Sequence, residues 1–251
     1  MAFDVEGIIL KNFNYGEHHK IIKVLTENRG VIGVFVQNAN KVNTKKSALV
    51  QPLTCARFNL KPSTNANSEL YYLYSGDVVD HYLNLKMDYE SIAYFYFMIE
   101  LILKGVPGDE YSAYVYQMLK QFISSANEGY DPYLLSLIFQ FKMMPILGIE
   151  PILNQCAVCG TTEHIATLSV RQGGLVCARC LNQEEPILID APLIPIARAL
   201  YKVDIYLLPD VELEAELLKP IEQFLDAYYE TYLGLNLRTK KFLKDLKLKK
   251  L

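Results

Sequence analysis

Apolar and polar residues alternate in short runs along the first 80 positions, the period expected of strands with one buried face. Five runs carry the pattern: 3–11 (FDVEGIILK), 20–26 (KIIKVLT), 30–36 (GVIGVFV), 53–61 (LTCARFNLK) and 69–75 (ELYYLYS). The segments between them, NYGEHH, ENRG, NANKVNTKKS and PSTNANS, consist of residues that favour turns.

From residue 88 the period lengthens to that of helices. Segment 88–105 opens on Asp88, a residue type suited to an N-cap, and ends at Gly105. Segment 110–127 stops short of Gly129, and 131–148 begins with Asp131-Pro132 as cap and first-turn residue. The Tyr, Phe and Met residues of these three segments read as the packing surface of helices. Two further helices are predicted at 191–205 and 213–234, with Pro220 marking a kink or break in the second. The fold class is therefore α+β: a small N-terminal β-barrel or sandwich over 1–80, then an α-helical domain over 81–251. A five-stranded barrel of the oligonucleotide-binding (OB) type satisfies the strand count.

Composition places the chain among ordinary globular proteins, with 51% hydrophobic and 21% charged residues, and argues against disorder. The N-terminus (MAFDVEGIILKNF) carries acids where a signal peptide has basic residues, and no apolar run reaches the roughly 18 residues that span a bilayer. The expectation is a cytoplasmic protein with no membrane contact, in which thiols stay reduced.

Charge is unevenly spread. Residues 1–61 hold nine Lys/Arg against four Asp/Glu, a local +5, and 238–251 hold seven against one, a local +6. The overall charge of −3 leaves −14 for the middle. Two basic poles flank an acidic centre, and it is the local field that decides whether polyanions are attracted.

Four of the five cysteines form two pairs, Cys156-Ala157-Val158-Cys159 and Cys177-Ala178-Arg179-Cys180. The C-x2-C-x17-C-x2-C spacing is that of a four-thiolate zinc site, in which each pair turns back to aim two sulfurs at one ion. Gly160 falls where such a turn needs a positive φ, and 165–176 reads as a hairpin turning at Gln172-Gly173-Gly174. The module covers about 154–183. Four thiolates leave no position for an activated water, so the expected Zn2+ is structural. His164, between the pairs, reads as an exposed loop residue, and Cys55 as a small buried hydrophobe in a strand.

Catalytic motifs are absent: there is no G-K-[ST] phosphate loop, no H-E-x-x-H and no G-x-S-x-G. His18-His19 sits in a polar break and reads as loop. The expectation is a protein without enzymatic activity.

Taken together, these residues resemble the RecO family of recombination mediators. The likeness rests on Tyr15-Gly16-Glu17 after the first strand, Leu25-Thr26, Gly30, a basic loop from Lys41 through Lys46, Gln51-Pro52, the cysteine pairs with Gly173-Gly174, and Lys241-Phe242-Leu243 near the end. It departs at Asn38-Ala39-Asn40-Lys41, where the family often has a Gly-Ala-Arg-Arg run, and at His18-His19, where an acidic residue is common. The resemblance implies an OB barrel, a helical domain and a zinc module. It also implies binding of single- and double-stranded DNA and annealing of complementary strands. With RecR, and with the C-terminal tail of single-strand-binding protein (SSB) as a contact, such proteins help load RecA onto SSB-coated strands in the nucleoid.

The residues support a DNA-binding reading on their own terms. Lys11, Lys20, Lys23, Arg29, Lys41, Lys45 and Lys46 lie on adjoining strands and loops of the expected barrel and can follow a phosphate backbone. Phe13 and Tyr15, near a turn, are candidates for stacking bases, while Phe35 reads first as barrel core. Two readings compete with a DNA-repair mediator: a zinc-ribbon scaffold or adaptor that touches nucleic acid weakly, and an RNA-binding factor using the same barrel.

Overall fold

Alternation in the first 80 residues folds as expected, into β1 (Phe3–Tyr15), β2 (His19–Thr26), β3 (Gly30–Val36), β4 (Cys55–Pro62) and β5 (Leu70–Asp80). The fold is taken from a computed structural model, in which residues 2–39, 45–65, 68–106, 108–182, 189–208, 213–235 and 237–248 are described. The strands close into a barrel in the order β1-β2-β3-β5-β4, with β1 returning to β4. All pairs are antiparallel except β3 with β5, which run parallel over Gly33↔Leu70 to Phe35↔Tyr72. This is the five-stranded OB-like barrel predicted from the sequence.

Residues of one parity point inward: Ile9, Ile22, Val24, Val34, Val36, Ala56, Phe58 and Leu60 form the barrel core. A bulge between Ile9 and Lys11 changes the parity of β1, so that Lys11, Phe13 and Tyr15 face outward beyond it.

A four-residue helix, α1 (Lys45–Ala48), lies between β3 and β4. After β5 come α2 (Leu83–Met87), α3 (Tyr89–Gly105) and α4 (Ser112–Asn127). Asp88 caps α3 as predicted, accepting from the N–H groups of Glu90 at 3.2 Å and Ser91 at 2.9 Å, worth about 1 kcal/mol. Helix α4 lies against β1, β2 and β3. The chain divides into two compact units, Met1–Pro132 and Tyr133–Leu251, so that α2 to α4 group with the barrel.

Within the second unit, α5 (Pro132–Ile146) is buried on nearly every face. Hydrogen bonds tie it to α6 (Ile194–Lys202) and α7 (Ala215–Leu233): Lys142 Nζ donates to the Tyr201 carbonyl at 2.6 Å, and Tyr229 OH to the Gln140 carbonyl at 2.8 Å. The predicted helix at 191–205 is shorter than expected, because Pro192 and Pro195 confine its opening to a 3-10 turn, Ala191–Leu193.

Of the kink or break expected at Pro220, the break does not occur: α7 runs continuously through it. One missing hydrogen bond and the ring clash cost about 3 kcal/mol. Burial of Leu218, Ile221, Phe224, Leu225 and Tyr228 on one face returns about 1.5–3 kcal/mol apiece and outweighs it.

The cysteine region forms a small sheet of β6 (Ile165–Ser169), β7 (Gly174–Cys177) and β8 (Ile189–Asp190), ordered β7-β6-β8. Gly174 must lack a side chain, since a Cβ there would lie 2.5 Å from the Ile152 carbonyl oxygen. The basic C-terminal stretch forms α8 (Arg238–Leu248), an element the sequence reading did not include. Among the described residues no helix is long and apolar enough to cross a membrane.

Candidate nucleic-acid interface and metal centre

The outer face of the barrel is divided. Towards the start of β1 it is covered: Ile8, Leu25 and Cys55 are buried, and α4 brings Tyr116 and Lys120 to Glu6. Beyond the bulge it is open, and strand register arranges its side chains in rows. One row runs Lys11↔Lys23↔Gly33↔Leu70, and the next Phe13↔Ile21↔Phe35↔Tyr72↔Lys61. Tyr15↔His19 begins a third, and Tyr74 stands two residues beyond Tyr72 on β5.

The candidate cations fall in different places. Lys11 and Lys23 are direct neighbours across β1 and β2. Lys20 stands at the rim, its Nζ donating to Asn14 Oδ1 at 3.1 Å. Lys46, on α1, donates to the Gln37 carbonyl at 3.4 Å and so joins the same end of the barrel. Arg29 does not: it lies in the β2–β3 turn at the far end, its guanidinium 4.4 Å from the centre of the Phe3 ring. Lys41 and the side chain of Lys45 lie outside the described residues. No ion pair engages Lys11, Lys20, Lys23, Arg29 or Lys46 among the described residues.

Phe35 is not barrel core, contrary to the first reading. It points outward, half-buried, with Tyr15 edge-on at 5.7 Å, His19 at 5.3 Å and Tyr72 at 5.3 Å. His19 is not a loop residue either: it opens β2, and its Nδ1 accepts from the Asn38 N–H at 3.1 Å.

The sequence reading missed Lys61, Tyr72 and Tyr74. Alternation in ELYYLYS puts Leu70, Tyr72 and Tyr74 on one face, but nothing local shows that this face continues that of β3. Lys61 Nζ sits 4.0 Å from the centre of the Tyr74 ring, and Lys11 Nζ 5.0 Å from that of Phe13.

The acids of the barrel gather elsewhere. Glu6 binds Lys120 at 2.6 Å and Arg57 at 3.2 Å, and the Asn59 amide donates to Asp4 at 2.6 Å. The hydrogen bond from Lys120, opposed by burial and aided by Tyr116, holds the Glu6 carboxyl down to about 2. The second basic pole is partly neutralised within its own unit. Lys240 pairs with Asp226 and donates to Gln140 Oε1 at 3.0 Å, while Lys241 and Phe242 are exposed.

In the second unit the sulfurs of Cys156, Cys159, Cys177 and Cys180 lie within 4.8 Å of one another. Two turns bring them there. The Gly160 N–H bonds the Cys156 carbonyl at 2.9 Å with Gly160 at φ 75°, and the Cys180 N–H bonds that of Cys177 at 3.0 Å. Tetrahedral coordination at about 2.3 Å separates sulfurs by about 3.8 Å, and Cys159 and Cys177 stand 3.7 Å apart. The donor set therefore fits a thiophilic ion that prefers four ligands. Cys156 and Cys177 are buried, whereas Cys159 is exposed. His164 is an exposed loop residue outside the group, and Cys55 is fully buried in β4, both as expected.

Family models for the N-terminal and C-terminal parts of recombination protein O match residues 1–82 and 86–241. Curated relatives bear the name DNA repair protein RecO. The one from Bacillus pumilus is 33% identical over 250 residues, covering 98% of this chain and 95% of its own. That from Bacillus subtilis is 31% identical over 247 residues, with coverage of 98% and 95%. That from Listeria monocytogenes is 28% identical over 242 residues, with coverage of 96% and 93%.

Proposed function

The chain belongs to the RecO family of DNA repair proteins, and from that premise we propose that it is a recombination mediator that binds single- and double-stranded DNA and anneals complementary strands without catalysing a covalent step. The barrel domain, residues 1–80, holds the DNA through Lys11, Lys20, Lys23, Lys41, Lys45 and Lys46, with Arg29 contributing from the far end. Residues 81–251 supply the helical part and the cysteine module, the first helices of that part grouping with the barrel. With RecR, and with the SSB tail as a docking partner, the protein helps place RecA on SSB-coated strands of the nucleoid in the cytoplasm.

One observation carries this reading. Lys11 and Lys23 sit side by side on an open barrel face with no ion pair among the described residues, while Asp4 and Glu6 are engaged towards the other end of β1. Such a face attracts phosphates although the molecule as a whole is acidic. Strands repel each other as polyanions, and a cationic surface that holds both lowers that barrier; no nucleotide need be consumed.

Zn2+ is the ion proposed for the four thiolates. Cys156, Cys159, Cys177 and Cys180 would hold it with no open coordination position, and its binding would supply folding energy to a module too small for a core of its own.

The test is annealing of complementary strands, bare and SSB-coated, by the parent and by a Lys11→Glu/Lys23→Glu variant with parental melting and zinc content. The variant is expected to slow annealing at least tenfold. Parental rates in that variant would refute the lysine contact, and no annealing by the parent would favour a scaffold.

A further inference from the structure

We propose that the outward stripe of α3 is a self-pairing surface, on which two copies of this chain meet helix against helix in antiparallel orientation. Such pairing does not depend on the DNA-binding role proposed above, though a pair carries two barrels and can hold one strand on each.

Spacing and exposure together mark the stripe. Tyr89, Tyr96 and Leu103 recur every seven residues and so lie within about 40° of one line along α3. They are 84%, 39% and 37% exposed. Ile92 and Glu100, half-buried, fall beside the same line, and Glu100 is held by Lys104 at 2.8 Å. A surface helix ordinarily turns charged residues to water. Helix α3 instead turns tyrosine and leucine there over about 21 Å of its length, the kind of apolar exposure that marks an interaction site.

A two-fold axis at Tyr96 satisfies the stripe from end to end. In antiparallel register Tyr96 meets its own copy, and Tyr89 of each chain meets Leu103 of the other, since both lie seven residues from Tyr96. A contact of this kind uses one patch on both partners and closes at two copies. Helices with such a seam cross at about 20°, which keeps the stripes in contact along their length.

Charge selects the occupant and its orientation. Asp88 and Glu90 stand at the start of α3 and Lys104 at its end. Antiparallel register sets Lys104 of each copy against Asp88 and Glu90 of the other, and the two helix dipoles also oppose favourably. A parallel pair would bring like charges together. The same two acids repel a phosphate-bearing partner, whether nucleic acid or an anionic membrane. A second copy matches the stripe in both apolar spacing and charge.

One helix pair is a small interface, so the dimer is expected to be weak and reversible, with a dissociation constant of about 1–100 μM. Sedimentation equilibrium of the full chain without nucleic acid, from about 1 to about 500 μM, tests this. The parent is expected to pass from monomer to dimer and no further. Tyr96→Glu, which sets two carboxylates across the axis, should weaken association at least tenfold. Glu90→Lys and Lys104→Glu should each weaken it alone, and the double exchange should restore it, because opposite ends of two helices meet. Melting curves matching the parent verify the fold of each variant. A parent that stays monomeric would assign the stripe to another partner and overturn the proposal. So would parental association in Tyr96→Glu, or a double exchange that restores nothing. Lys11→Glu/Lys23→Glu is expected to dimerise as the parent does, so loss of DNA binding and loss of pairing are read separately.

Discussion

Glu6 is the side chain on which the covered half of the barrel turns. It joins strand to helix through Lys120 at 2.6 Å and Tyr116 at 2.9 Å, and strand to strand through Arg57 at 3.2 Å. The Lys120 hydrogen bond is the largest influence that lowers its carboxyl to about 2 from 4.5. A carboxylate depressed on folding adds stability that is complete above its unfolded pKa and is lost as pH falls through the folded one. That window runs from pH 4.5 down to about 2. Glu6→Gln is expected to lower stability near neutral pH by about 1–3 kcal/mol, with solvent screening trimming the upper end. Urea melts across the window should show the gap between parent and variant closing as pH drops; a gap that ignores pH would assign it to packing instead. None of this was legible in the sequence, where Glu6 and Lys120 stand 114 residues apart.

At the scale of elements, the cysteine module was the most legible part of the chain. Two close pairs, a turn glycine and a hairpin announced the cluster of four sulfurs, because each pair closes its own turn and the hairpin between them is short. Its behaviour should separate from that of the barrel. A chelator is expected to make four thiols reactive to a disulfide reagent while the fifth, Cys55, stays silent until denaturant is added. Cys55 is fully buried, and burial first, then the neighbouring Glu6 carboxylate, pushes its thiol up to about 11. Five thiols reacting under native conditions would mean that the barrel opens with the module. The strands and the three long helices were legible for a similar local reason: alternation, caps and glycine stops act over a few residues. Helix α8 was missed because its many charges read as a solvated tail, although Phe242, Leu243 and Leu246 fall at helical spacing and Leu243 is buried.

For the whole molecule, what matters is how charge is sorted in space. The sequence placed +5 in residues 1–61, and the fold divides it. Lys11, Lys20, Lys23 and Lys46 meet at one end of the barrel, Arg29 stays at the other, and Arg57 is taken up by Glu6. If about five phosphates are neutralised, the logarithm of single-strand affinity should fall against the logarithm of salt with a slope near −3.5. Binding titrations at several salt concentrations give that slope, and a flat response would exclude a phosphate-led interface. By itself the sequence determined the strands, the long helices, the gathering of four sulfurs and the sign of the local charge, since each follows from neighbours along the chain. Only the tertiary structure decided that Phe35 faces outward beside Tyr72, that Lys61 and Tyr74 join the lysine-bearing face, and that Arg29 stands apart from it. Alternation tells which residues share a face of one strand. Which strand lies beside it depends on barrel closure and the parallel β3–β5 pairing, and those are settled by packing between distant segments.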